Sequence, residues 1–96
     1  MKEKTYDKRP DIIFREVAGE NLLVPIRGDL ADMRRIFSIN AVGGCVWELL
    51  DGQRSMKRIV EAVCDRFDAP DPDQVKADVL AFVSGLLEAQ LAFEVD

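Results

Sequence analysis

The sequence predicts an α+β domain in which a three-stranded antiparallel β-meander precedes three α-helices. Apolar runs of strand length occupy residues 12–17, 22–26 and 35–39, with turn-forming or polar segments between them. From Ala41 onward the apolar residues recur at three- and four-residue intervals instead. A capping residue stands before each helical stretch: Asn40, Ser55 and Asp71. A chain of 96 residues makes one domain with one modest core.

Residues 1–11 are polar and charged and show no periodicity, so they are expected to form a flexible N-terminal arm, with 12–96 as the folded domain. Ile12 to Val17 reads as the first strand, Ala18 to Asn21 as a turn, and Leu22 to Ile26 as the second strand. Pro25 has no N–H to donate, so the second strand ends there or presents that position to an edge. Gly28 to Arg34 is a polar loop with a short apolar element at Leu30 and Met33. Arg35 to Ile39 completes a meander whose apolar face needs helices to cover it.

Asn40 can accept from the first free N–H groups of a helix over Ala41–Asp51, and Gly52 can end that helix in the left-handed conformation. Val42, Cys45, Val46 and Leu49 share one of its faces. Gly43 and Gly44 inside it each cost about 1 kcal/mol relative to Ala. Such residues mark close packing against another backbone or room for a ligand main chain. In the second helix, capped by Ser55, a stripe of Met56, Ile59, Val60, Val63 and Phe67 faces the core. Asp71 followed by Pro72 starts the third, which runs from Asp73 to about Gln90. On that helix Val75, Val79, Phe82 and Leu86 form one stripe, and Leu80, Val83, Leu87 and Leu91 form a second beside it. Together they span an arc of roughly 200°, about twice what one core contact requires. The helix is therefore either sandwiched between two layers or turns one stripe to a groove. Leu91 to Val95 alternates, as a short final strand or a segment draped over the core.

The net charge of −5 argues against a phosphate-binding surface and hence against nucleic acid. The clusters Arg27/Arg34/Arg35 and Lys57/Arg58 read as solvated faces. The absence of His removes imidazole bases, Ser–His and Cys–His pairs, and His metal ligands. Cys45 and Cys64 fall short of the four ligands of a structural zinc and lie on apolar helix faces, where a free Cys acts as a small hydrophobe. Gly43-Gly44 is not a phosphate loop, and the acidic pairs Asp29/Asp32 and Asp71/Asp73 suit loop and helix-start positions. The chain is expected to be no enzyme and to hold neither metal nor cofactor. With no signal core and no apolar run near the ~20 residues that span a bilayer, it is expected to be cytoplasmic, without membrane contact.

The segment Ile36-Phe37-Ser38-Ile39-Asn40, then Val42-Gly43, Val46-Trp47-Glu48-Leu49-Leu50-Asp51-Gly52, Arg54-Ser55 and Ile59-Val60, resembles the strand–Asn–helix–Asp-Gly–helix core of the pyrroloquinoline-quinone biosynthesis protein D (PqqD) family. Val75, Asp78, Val79, Phe82, Val83 and Leu86 are similar to its C-terminal helix pattern, and Leu23 to Gly28 to the longer second strand of PqqD-like relatives. The resemblance runs from about Asp11 to Leu91. Gly44 departs from it where a helix-favouring residue is more usual, and Gln90 where a Gly commonly ends the last helix.

That resemblance implies a fold like a winged helix-turn-helix. It also implies a function: recognition of the leader of a ribosomally synthesised precursor peptide, and its presentation to a modifying enzyme, often a radical SAM protein. The same domain serves quinone-cofactor synthesis and other peptide-modification (RiPP) systems. The leader of such a domain adds as a strand to the third β-strand, in a groove bounded by the third helix. An edge strand at residues 35–39, with unpaired N–H and C=O groups, fits this independently. Because Val75, Val79, Phe82 and Leu86 match the family's regular positions, they are assigned to the core. The expected peptide-binding set is then Arg35, Ile36, Phe37, Ser38 and Ile39 with Lys76, Leu80, Val83 and Leu87, Lys76 being available to an acidic leader residue. The partners implied are the leader peptide and the modifying enzyme, and the state is a monomer or a weak dimer through the exposed edge. Two other readings compete. A winged-helix DNA-binding protein is opposed by the net acidity and by Lys76 as the third helix's only basic side chain. An acidic carrier protein would need a phosphopantetheine-bearing Asp-Ser-Leu, which is absent.

Overall fold

The computed structural model describes residues 4–27, 30–31, 36–68 and 71–95. Its elements, in order, are β1 (Thr5–Lys8), β2 (Ile12–Val17), β3 (Glu20–Arg27), β4 (Leu30–Ala31), β5 (Phe37–Ile39), α1 (Ala41–Leu49), β6 (Asp51–Ser55), α2 (Met56–Phe67), α3 (Pro72–Glu88) and β7 (Ala92–Val95). The expected α+β architecture of a meander and three helices is present: β3 pairs antiparallel with β2 on one edge and with β5 on the other, where two-residue β4 also pairs. The β2–β3 hairpin turns on Ala18 and Gly19 alone, at φ +53° and +82°, because a two-residue hairpin loop needs positive φ at both positions.

A second sheet was not anticipated. β1 lies at its centre, between β6 and β7, antiparallel to both. Thr5–Lys8 therefore does not belong to a flexible arm, as its polar sequence suggested; it is ordered by pairing with two distant segments. The tail Ala92–Val95 is a strand for the same reason. The first helix also ends earlier than expected, at Leu49, and Asp51–Ser55 continues as β6. Gly52 has the expected positive φ, +77°, but inside β6. The register that pairs Thr5 with Ser55 would pair Asp7 with Gln53. Asp7 faces Asp51 instead, so β6 carries extra residues there, and a Cβ on Gly52 would come 3.2 Å from the Asp7 carboxylate.

Each helix starts on its expected cap. Asn40 Oδ1 accepts from the Gly43 N–H at 2.7 Å, Ser55 Oγ from Arg58 at 3.3 Å, and Asp71 Oδ1 from Asp73 and Gln74 at 3.1 and 3.3 Å. At the far end of α1 no basic residue of its own last turn is present. Lys8 of β1 supplies one: its ammonium donates to the carbonyls of Leu50, Trp47 and Glu48 at 2.7, 3.2 and 3.5 Å. α3 ends with Gln90 at φ +62°, where the Leu91 N–H reaches the Leu86 carbonyl at 2.9 Å and the Gln90 N–H reaches Leu87 at 3.1 Å. Those two bonds form the left-handed helix end that Gly usually provides.

The core lies between the helices and the inner face of the β2–β3–β5 sheet. It contains Leu23, Cys45, Val46, Trp47, Leu50, Ile59, Val63, Val79, Val83, Leu86 and Leu91. Among the described residues no helix is long and apolar enough to cross a membrane.

Candidate functional site

Pairing with β3 occupies only one edge of β5. Asn21 faces Ile39, Leu22 faces Ser38 and Leu23 faces Phe37; among the described residues no strand pairs with the opposite edge. Side chains on the strand alternate. Phe37 and Ile39 pack against the core, and Ser38 is exposed. Ile36, just before the strand, turns to the outer sheet face, where it lines an apolar surface with Ile13, Arg15, Val17, Leu22, Val24 and Ile26. Arg35, and with it Arg34 and Met33, lies outside the described residues.

Directly after β5, Asn40 begins a cleft of about 410 Å³ lined by Asn40, Val42, Gly43, Val46, Asp78, Val79, Ala81 and Phe82. Its position follows from the two glycines of α1. Gly44 faces the sheet, where a Cβ would lie 3.2 Å from Asn21 Nδ2 and 3.7 Å from the Phe14 ring; Gly43 faces α3, where a Cβ would lie 3.1 Å from the Phe82 ring. Both glycines serve close packing, against side chains rather than another backbone. α1 is thereby seated between the sheet and α3, and Phe82 becomes the wall of the cleft. Asp78, one turn earlier, accepts from Gln74 Nε2 at 2.9 Å and leaves a carboxylate on the same rim.

None of the third-helix residues assigned to a groove beside the strand lines the cleft that begins at Asn40. Val83 is buried in the core at 3% exposure, because it sits near the middle of the apolar arc rather than on its flank. Leu87 packs against the core, half-buried. Lys76 and Leu80 line a different cleft, shared with Met56, Lys57, Val60 and Glu61 of α2. The α3 residues that adjoin the β5 end are Asp78, Ala81 and Phe82, and sequence reasoning missed them as a group. Gly43 was the available signal, since a glycine inside a helix marks where a neighbour approaches most closely.

No group of three Cys, Asp or Glu side chains among the described residues is placed to hold a metal. Cys45 is buried, 3.8 Å from an Arg66 guanidinium nitrogen that also lies 3.7 Å from Glu48. Asp51 is held below the usual carboxylate range, chiefly by the N–H groups of Arg54 and Gln53, with help from the Arg54 guanidinium at 2.7 Å. It caps the turn into β6 and lies apart from the cleft.

The sequence model of coenzyme PQQ synthesis protein D matches residues 22–92, most of the chain, from within β3 through β5 and all three helices. The chain belongs to the PqqD family. No curated protein sequence matches it. The PqqD-type fold is also found in the solved structure of TbiB1 in complex with the TbiA(beta) leader peptide, with a TM-score of 0.68 and 22% identity over 90% of this chain and 93% of that one. At that identity the likeness is one of fold.

Proposed function

We propose that this PqqD-family domain binds the leader of a ribosomally synthesised precursor peptide as an added antiparallel strand on β5 and presents it to a modifying enzyme, radical SAM proteins being the class the family resemblance suggests. The observation that carries this reading is the open edge of β5 running into the cleft of Asn40, Val42, Asp78, Ala81 and Phe82. An extended peptide gains main-chain hydrogen bonds along such an edge and side-chain selection from the adjoining pocket. Membership of the PqqD family and a shared fold with TbiB1, a protein solved with a leader peptide, support the same reading. The contacts assigned to the leader are then Phe37, Ser38 and Ile39 through their backbone, and Val42, Asp78, Ala81 and Phe82 through the cleft. The domain contributes no catalytic turnover.

Backbone N–H groups of β5 alternate between β3 and the open edge, so Pro at Ser38 and Pro at Ile39 delete donors on opposite sides. One substitution should weaken peptide binding with the fold retained, and the other should chiefly destabilise. Isotope-labelled domain titrated with the leaders of short precursor peptides encoded beside it should show shifts at residues 37–39 and 78–82. Shifts confined to β2 would reject the placement.

A further inference from the structure

The surplus apolar surface of α3 comes to rest away from β5. Leu80, 44% exposed, forms with Met56 and Val60 of α2 the floor of a cleft of about 400 Å³, rimmed by Lys57, Glu61 and Lys76. Leu80 and Phe82 are two residues apart and project roughly 160° from one another on the helix. This cleft and the one beside β5 are therefore on opposite flanks of α3. The chain carries a net charge of −5, yet two of the three charges on this rim are ammonium groups. Among the described residues Lys57 and Lys76 have no carboxylate partner, whereas Lys4, Arg54 and Arg66 each have one. Glu61, one turn after Lys57, closes no ion pair with it, in keeping with the weaker Lys-before-Glu order.

We propose that the α2–α3 cleft docks an acidic amphipathic segment of a protein partner. Its apolar side chains would cover Met56, Val60 and Leu80, and its carboxylates would meet Lys57 and Lys76. Charge complementarity selects this occupant: a basic segment would bring like charges against two unpaired lysines, and a purely polar one would leave the apolar floor wet. Glu61 fixes direction, because an acidic side chain is disfavoured at its end of the rim. Since the cleft is separate from β5, a docked segment and a strand added at β5 can be held at once, which suits a domain that joins a peptide to an enzyme.

The test uses two short labelled helical probes with the same leucine stripe, one flanked by Glu and one by Lys, titrated into wild type and the double variant Lys57→Glu/Lys76→Glu. All substituted side chains are exposed, and thermal melts verify that the variant folds. The Glu probe should bind wild type, shift amides of residues 56–61 and 76–80, leave 37–39 unmoved, and lose about tenfold or more in affinity on charge reversal. The Lys probe should show the opposite preference, and Leu80→Ala should weaken both. Equal binding of the two probes, shifts centred on β5, or no binding of either at about 1 mM would overturn the assignment. Because β5 is read in the same spectra, failure here is distinguishable from failure of strand addition.

Discussion

Lys8→Met tests whether β1 belongs to the fold. The substitution keeps an unbranched apolar stem and deletes three donors at the C-terminal end of α1, to Leu50 at 2.7 Å, Trp47 at 3.2 Å and Glu48 at 3.5 Å. The last is long and exposed, so two bonds carry most of the effect. A hydrogen bond from a charged donor contributes about 1.5–3 kcal/mol, and a cation at a helix end about 0.3–1 kcal/mol. Water reaches part of this half-buried site and recovers some of the loss, so the expected cost is about 2 kcal/mol. In a domain of this size that lowers Tm by roughly 8–16 °C. Lys4→Met is the control, because the Lys4–Glu94 pair spans 3.4 Å with side chains 73% and 42% exposed, and such pairs contribute about 0–1 kcal/mol. Parallel melts by circular dichroism at low and high salt should show a large Lys8 deficit that persists in salt. If Lys8→Met melts no lower than Lys4→Met, the cap does not secure β1 to α1.

Gln90→Gly should raise stability by about 0.5–1 kcal/mol in urea unfolding, because it keeps the two helix-ending hydrogen bonds and removes the cost of a left-handed Cβ; a lower midpoint would refute this. Asp51 has a depressed folded pKa, so its contribution is present above the ordinary aspartate range and is lost as pH falls through it toward the folded value. Asp51→Asn should therefore flatten the acid limb of the stability curve, and parallel curves for the two proteins would rule the linkage out.

What was legible in the sequence was local. Asn40, Ser55 and Asp71 each announce a helix because the cap and the N–H groups it satisfies lie within three residues of one another. The β2–β3 hairpin was legible for the same reason. β1 and β6 were not, because Thr-Tyr-Asp-Lys and Asp-Gly-Gln-Arg-Ser have no alternating apolar pattern, and they become strands by pairing with partners more than forty residues away, β6 with β1 and β1 also with β7. Gly52 and Gln90 show the limit in miniature. A left-handed residue is foreseeable at Gly52 from its type, but whether it ends a helix or interrupts a ladder depends on what pairs beside it.

The third helix shows why the strand of the candidate site was easier to read than its wall. Periodicity measures the width of an apolar arc and cannot say which neighbours stand at its two edges. Dividing the arc into two stripes placed Val83 on the groove side, although it lies near the middle of the arc and is buried at 3% exposure. It also placed Phe82 wholly in the core, although that ring is only half-buried and walls the cleft that begins at Asn40. The residue that settles the orientation is in another helix. Gly43 has no side chain, and the Phe82 ring fills the notch, so α3 can turn only one flank toward the end of β5. On that flank pocket shape is tied to the packing of α1, so Phe82 cannot be exchanged without disturbing the fold. On the other flank Lys76 and Leu80 are exposed, so substitutions there test the proposed docking cleft with less disturbance of the core.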